Sequence, residues 1–182
     1  SKYSGRTTKV AGLYPSVKYD YDKMNQKGTK LGNNPYTLPN ILKYGGVCVD
    51  QAHFASRVAK CIGVPAMKVT GHGRFGGAGH AWTGFLVINK GRPLLEFTGR
   101  YFMDYYYTGD VYDPQTRTMT LDRFVAMMYD GASLSYPKYN QSLMLARMAE
   151  RVKAEHPAEA LELTQEALKL NYFNMWGWPL LM

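Results

Sequence analysis

The fold is decided by the stretch Tyr44-Gly45-Gly46-Val47-Cys48-Val49-Asp50-Gln51-Ala52, which places a cysteine at the head of an amphipathic run. Apolar residues recur along this run at steps of three and four, namely Cys48, Ala52, Ala55, Val58, Ala59 and Ile62. This spacing predicts a helix over residues 48–61 with one buried face. Cys48 then lies in the first turn, where free backbone N–H groups and the helix dipole favour a thiolate. The stretch therefore predicts a nucleophilic cysteine.

A nucleophilic thiol needs a general base beside it, and the chain has four histidines that could serve. His53 lies five residues beyond Cys48 on the same predicted helix, so its side chain points elsewhere. His72 lies in a glycine-rich loop over residues 71–79, and His156 lies in the helical tail. His80 opens a predicted strand that can lie across the start of the helix. It is the best candidate for the base.

The base in turn needs an orienting group, for which Glu96 is the first candidate. Strands are predicted over residues 80–88 and 93–100, joined by a three-residue loop at Asn89-Lys90-Gly91. In that register Glu96 shares a sheet face with His80, at an offset of about 13 Å along the strands. Three aspartates remain as weaker substitutes: Asp104, Asp110 and Asp113.

Four motifs stand in an order that resembles the bacterial transglutaminase-like family over residues 36–100. They are Gly45-Gly46-Val47-Cys48 with Ala52 after it, Gly63-Val64-Pro65-Ala66, Gly79-His80-Ala81-Trp82, and a carboxylate sixteen residues after the histidine. The resemblance implies a papain-like core in which Cys48 is the nucleophile, His80 the general base and acid, and Glu96 the orienting group. Glu96 stands where this family usually has Asp.

The implied activity is thiol-dependent acyl transfer or hydrolysis at protein or peptide amide bonds, through a thioester and without a cofactor. Water resolving the thioester gives hydrolysis and an amine gives transamidation, and the sequence leaves both open. The Cys48 N–H is one expected oxyanion donor, with Gln51 or the Asn33-Asn34 turn as a second. The alternative is a non-catalytic scaffold of the same fold that binds protein partners through a helical repeat.

The predicted fold class is α+β, with a helix packed on a small antiparallel sheet and a helical appendage. Residues 1–35 are predicted to form a basic, solvated arm. Residues 36–138 are predicted to form the core, and residues 139–182 are predicted to be helical. The last segment resembles a tetratricopeptide-type hairpin, because residues 158–171 end in the pattern Ala-Leu-Lys-Leu-Asn. Further elements are predicted as a helix at 37–45, strands at 66–70 and 105–108, and a helix at 121–129.

Charge and cysteine content narrow the function classes. The net charge is +8, and residues 1–47 contribute eight Lys or Arg against two Asp. No nucleic-acid module accompanies them, so a solvated basic segment is the favoured interpretation. Cys48 and Cys61 lie thirteen residues apart on one helix, roughly 20 Å, which is too far for a disulfide.

Other kinds of site find little support in the sequence. The Gly-x-Gly-x-x-Gly run at 71–76 precedes a strand rather than the helix that a dinucleotide site needs. No histidine or cysteine pair has zinc-ligand spacing. No apolar run is long enough to span a bilayer, and the first residue is Ser1 rather than Met, so location stays open.

Overall fold

A computed structural model describes residues 2–72, 79–100, 108–114 and 117–182. Eight α-helices are present in these ranges: α1 Lys2–Ala11, α2 Leu13–Ser16, α3 Tyr21–Met24, α4 Leu38–Tyr44, α5 Cys48–Cys61, α6 Asp122–Leu134, α7 Tyr136–Val152 and α8 Pro157–Leu170. The strands are β1 Ala66–His72, β2 His80–Asn89, β3 Arg92–Thr98, β4 Thr108–Asp113 and β5 Thr118–Leu121, and a 3-10 helix spans Trp178–Leu181.

The chain forms two compact units. The first contains residues 1–88 and 95–123, and the second contains residues 89–94 and 124–182. The first unit holds helices α1 to α5 and most of the sheet. None of the helices in the described part of the chain is long and apolar enough to cross a bilayer.

The sheet has five strands in the order β3-β2-β1-β4-β5, and the pairings of β1 with β2, β1 with β4, and β4 with β5 are antiparallel. Helix α5 packs on it, and the Thr83 hydroxyl of β2 donates to the Ala52 carbonyl of α5 at 3.3 Å. Trp82 and Phe85 of β2 are among the largest side chains in the core. The predicted α+β class, with a helix on an antiparallel sheet, is therefore confirmed.

Helix α5 begins and ends where its apolar spacing predicts. Ala52, Ala55 and Ala59 on the predicted face are fully buried. The rest of α5 is also largely covered, since Phe54 and Gln51 are buried as well. The predicted helix at 37–45 is α4, which Thr37 precedes and Gly45 ends with a φ of 90°.

The N-terminal segment differs from the solvated arm that its charge predicts. Residues 2–24 form three short helices, and Val10, Tyr14 and Val17 are buried in the first unit. These three residues recur at steps of four and three, which is itself a helical spacing. The many lysines and glycines of residues 1–35 hide that pattern, so composition alone gives the wrong environment for this segment.

The hairpin between β2 and β3 also differs from its prediction. Its loop is the two residues Lys90 and Gly91, both with left-handed backbone, at φ 48° and φ 80°. Two-residue loops of this kind match the twist of antiparallel strands, which explains why the shorter loop wins. Asn89 therefore stands opposite Arg92, one residue away from the predicted register.

A shift of one residue moves side chains to the other sheet face. In the observed hairpin Glu96 falls opposite Phe85 rather than on the face of His80. The Gly84 and Phe97 pair supports this register, because a Cβ on Gly84 would meet the Phe97 ring at 3.2 Å. The predicted common face of Glu96 and His80 is thus wrong.

The second unit contains the predicted C-terminal helices. Helices α7 and α8 are bridged by buried polar groups: the Ser142 hydroxyl donates to the Ala167 carbonyl at 2.6 Å, and the Asn174 amide donates to Ser142 at 2.8 Å. The pair confirms two helices here, while its kinship to tetratricopeptide repeats stays a prediction. Helix α6 runs five residues beyond the predicted 121–129, and strand β5 before it was not predicted.

Candidate active site at the start of helix α5

Cys48 is the first residue of α5, and Val47 is its N-cap. The backbone N–H groups of Asp50 and Gln51 donate to the Val47 carbonyl at 2.9 and 3.0 Å. The N–H groups of Cys48 and Val49 are therefore the first-turn donors that no helical carbonyl can reach. The thiol lies where the predicted electrostatic advantage of a helix start is greatest.

The two glycines before Cys48 are required by close packing. Gly45 has a φ of 90°, and a Cβ at this position would meet the Lys18 carbonyl oxygen at 2.5 Å. A Cβ on Gly46 would collide with the side chain of Asp50. The glycines thus let the chain turn tightly into α5 and bring Asp50 back over that turn.

The Cys48 side chain is half-buried and packs against a small apolar cluster. The cluster joins three elements, and its buried members are Tyr14, Ala52, Ala55 and Ala81. Ala81 is the second residue of β2, so the cluster places the start of that strand close to the start of α5. This is the part of the predicted site that the fold brings together.

His80 is the first residue of β2, and only 7% of its surface is exposed. Its Nε2 lies 2.7 Å from the Gly99 carbonyl oxygen. A carbonyl can only accept, so Nε2 carries the hydrogen and Nδ1 is the basic nitrogen of the neutral ring. The ring also stacks on Trp82, with centroids 5.8 Å apart. Burial lowers the pKa of His80 below its ordinary value, and the bond to Gly99 opposes that shift.

Tyr14 connects the surroundings of Cys48 with those of His80. Its hydroxyl donates to the Ala81 carbonyl at 2.8 Å, and its ring lies where a Cβ of Gly99 would be. The described hydrogen bonds include none between the Cys48 thiol and the His80 ring. Because side chains alternate along a strand, the His80 side chain starts on the sheet face opposite Ala81, the same face as Trp82, on which its ring stacks.

Glu96, the predicted orienting group, is exposed on β3. Gly99 rather than Glu96 accepts the Nε2 hydrogen of His80. Of the substitutes, Asp110 and Asp113 are half-buried on β4, and Asp104 lies outside the described residues. Sequence reasoning could not find Gly99, because an accepting backbone carbonyl has no residue signature.

The remaining candidates have other surroundings. The Gln51 amide is buried and donates to the Val17 carbonyl at 2.8 Å, and the Asn34 amide donates to the Leu31 carbonyl at 2.8 Å. Each bond is to a backbone carbonyl of the N-terminal segment, and an oxyanion-donor role for Gln51 or the Asn33-Asn34 turn stays a prediction. Cys61 is a free thiol, as is Cys48, which confirms that the two do not pair. Cys61 lines a cavity of about 520 Å³ at the other end of α5.

The other three histidines have surroundings different from those of His80. His53 faces the Tyr36 ring at 5.4 Å, and His72 and His156 are exposed. Within the described ranges, no three His, Cys, Asp or Glu side chains form a group that could hold a metal ion.

Comparison with known proteins returned no match among family models, curated proteins or solved structures. The function must therefore be inferred from the residues and their geometry.

The pH dependence of stability follows from buried His80 and half-buried His53. Burial lowers the pKa values of His80 and His53 below 6.5. The unfolded chain then binds more protons than the folded one once the pH falls through 6.5, so the free energy of unfolding should drop on acidification. Denaturant unfolding at pH 7.5 and 5.5 measures the drop. His80→Gln should make it smaller, whereas the exposed-site control His156→Gln should leave it unchanged. An equal drop in both variants would contradict the buried, neutral state of His80.

Proposed function

We propose that the protein catalyses thiol-dependent acyl transfer at protein or peptide amides, with Cys48 as nucleophile and His80 as general base and acid. The observation that carries the proposal is the meeting of two elements in one corner. Cys48 begins α5 beside a cluster that contains Ala81, and His80 is the residue before Ala81 in β2. The resemblance of the four sequence motifs to the transglutaminase-like family implies the same two residues.

In the proposed reaction, the Cys48 sulfur attacks the amide carbonyl carbon while His80 takes up the thiol proton at Nδ1. The tetrahedral intermediate collapses when His80 returns that proton to the leaving nitrogen, which breaks the C–N bond and releases an amine. A thioester remains on Cys48. Water or a second amine, deprotonated by His80, then attacks the thioester and frees the thiol. The products are an acid or a new amide, respectively.

Two backbone groups support the chemistry. The outward N–H groups of Cys48 and Val49 at the start of α5 are suited to bind the oxyanion of the tetrahedral intermediate. The Gly99 carbonyl fixes the Nε2 tautomer of His80, which is the task that Glu96 is expected to perform by resemblance. In this proposal the Gly99 carbonyl, rather than the Glu96 carboxylate, orients the His80 ring.

In this proposal the His80 ring moves from its stacked position on Trp82 to take up the thiol proton, and it can do so at the first residue of its strand. Catalytic hydrogen bonds are often long or misaligned without substrate and tighten when it binds. The proposal therefore predicts a coupling between Cys48 and His80 that can be measured without a known substrate.

The test is the alkylation rate of Cys48 by iodoacetamide at pH 7 in the single-thiol variant Cys61→Ser. We expect Cys48 to react faster than a free cysteine, and His80→Ala in the same background to slow it by about tenfold or more. A His53→Ala variant, which removes a histidine of the same helix, is the matched control and should keep the rate.

If Cys48 reacts no faster than a free cysteine and His80→Ala leaves its rate unchanged, the enzyme hypothesis fails. The non-catalytic scaffold would then be the better interpretation, with α7 and α8 as the segment that binds a partner.

A further inference from the structure

A partly buried ion pair involves Asp50, two residues after Cys48 in α5. Asp50 is the third residue of α5, and its side chain is 4% exposed. Its Oδ2 lies 2.7 Å from the Lys23 ammonium, and Lys23 comes from α3 in the N-terminal segment. Asp50 and Cys48 are two residues apart in the first turn of α5.

The Asp50 carboxylate is further held by two neutral donors. The Val47 N–H donates to Oδ2 at 2.8 Å, and the Tyr36 hydroxyl donates to Oδ1 at 2.9 Å. Burial, with the nearby Asp50 carboxylate, raises the pKa of Tyr36 above its ordinary value. Tyr36 therefore stays a neutral donor at neutral pH, and Lys23 is the cation that balances the Asp50 charge.

The other titratable groups near this turn are weaker candidates for that role. His53 faces the Tyr36 ring, and its pKa is lowered by burial and by Arg57 and Lys68. A neutral His53 cannot offset a carboxylate. The His80 ring is bonded to the Gly99 carbonyl. Lys23 is thus the charged partner that directly contacts Asp50.

An unbalanced carboxylate in the first turn would oppose the formation of a thiolate there, since like charges raise the energy of both. We infer that Lys23 is a positioning residue that sets the reactivity of Cys48 by neutralising the buried charge of Asp50. This inference rests on the proposed function, because it concerns the reactivity of the same Cys48 thiol. It gives the basic N-terminal segment a role at that site. Asp50 fixes the first turn of α5 by accepting the Val47 N–H. The positive charge of Lys23 offsets the negative charge of Asp50, so that the carboxylate does not disfavour a thiolate at Cys48.

A purely structural role for the pair predicts a different pattern. If Asp50 and Lys23 only fixed the start of α5, removing either would loosen the turn, and Asp50→Asn would harm Cys48 at least as much as Lys23→Met. The electrostatic role predicts opposite effects for the two substitutions. It also predicts that the effect of Lys23→Met vanishes once Asp50 is neutral.

The experiment is a double-substitution cycle in the Cys61→Ser background, read as the iodoacetamide alkylation rate of Cys48 at pH 7. Lys23→Met should slow the reaction by about threefold to tenfold. Asp50→Asn should leave the rate equal or raise it, and Lys23→Met added to Asp50→Asn should change nothing. Lys23→Arg keeps the charge and should keep the rate. Lys27→Met, which removes a neighbouring exposed charge, is the matched control and should have no effect.

Parallel slowing by Lys23→Met and Asp50→Asn, or an unchanged rate in Lys23→Met, would overturn the inference. Thermal unfolding of each variant identifies loss of fold. If Lys23→Met alone unfolds, the alkylation rates of Asp50→Asn and of the double variant are compared instead, and a lower rate in the double variant overturns the inference. The two proposals fail differently. An activated Cys48 that depends on His80 but ignores Lys23 overturns only this inference, whereas an unactivated Cys48 overturns the proposed function.

Discussion

Replacement of Cys48 by alanine is expected to abolish amide turnover, with a loss of at least about 10³-fold. The loss follows because every covalent step of the proposed reaction passes through the Cys48 sulfur, and no thioester can form without it. Turnover is measured with a panel of glutamine-containing peptides and a fluorescent primary amine. Amine incorporation reports transamidation, a gain of about 1 Da reports side-chain hydrolysis, and peptide fragments report proteolysis.

Cys61→Ala is the matched control for this prediction. It removes the exposed thiol at the opposite end of the same helix and should leave turnover unchanged. If the wild-type protein turns over a substrate of the panel and Cys48→Ala retains that activity, Cys48 is not the nucleophile and the account is wrong.

The second large effect is expected from Gly99→Ala. Gly99 has a φ of 79°, so an alanine there pays about 1–2 kcal/mol for left-handed backbone. Its Cβ would also enter the Tyr14 ring, and crowding of a packed site adds about 1–3 kcal/mol. The free energy of unfolding should fall by about 2–5 kcal/mol. The Gly99 carbonyl should also move away from the His80 ring. His80 would then lose its orienting hydrogen bond, and the alkylation of Cys48 should slow.

Gly91→Ala separates these two contributions. Gly91 has a φ of 80°, nearly that of Gly99, but a Cβ there would have nothing within 4 Å. It should show only the backbone cost and normal Cys48 reactivity. Denaturant unfolding and alkylation of the two variants test this. Equal loss of stability in both, or normal alkylation in a folded Gly99→Ala, would contradict the assigned role of Tyr14 and Gly99.

The parts of the fold that the sequence predicts best are those carried by a regular pattern within one element. The three- and four-residue spacing after Cys48 predicts α5 from its first residue to its last. Gly45 ends α4 because its positive φ suits glycine, which the sequence signals directly. The strand that begins at His80 is likewise located to within a residue.

The N-terminal segment shows where such reasoning stops. Its lysines and glycines suggest a solvated arm, yet Tyr14 reaches across 67 positions of sequence to donate to Ala81. Lys23 similarly pairs with Asp50, 27 positions away. Long-range contacts of this kind depend on tertiary packing, and no local pattern in one sequence encodes them.

The third member of the site illustrates a different limit. A single residue in the length of a hairpin loop decides which face Glu96 occupies, and the sequence Asn89-Lys90-Gly91 suits both a two- and a three-residue loop. The group that bonds His80 is a backbone carbonyl, which any residue could supply. Cys48 and His80 could therefore be named as candidates from the sequence, while the Gly99 carbonyl could not.

The claim that Cys48 and His80 act as a pair is tested most directly by NMR titration of the His80 ring in the Cys61→Ser protein, with and without Cys48→Ala. A neighbouring thiolate stabilises the imidazolium, so removal of Cys48 should lower the measured pKa of His80. Cys48→Ala leaves the bond to Gly99 in place, which makes the change specific to the thiol. A His80 titration that is the same with and without the Cys48 thiol would contradict the pair and, with it, the proposed function.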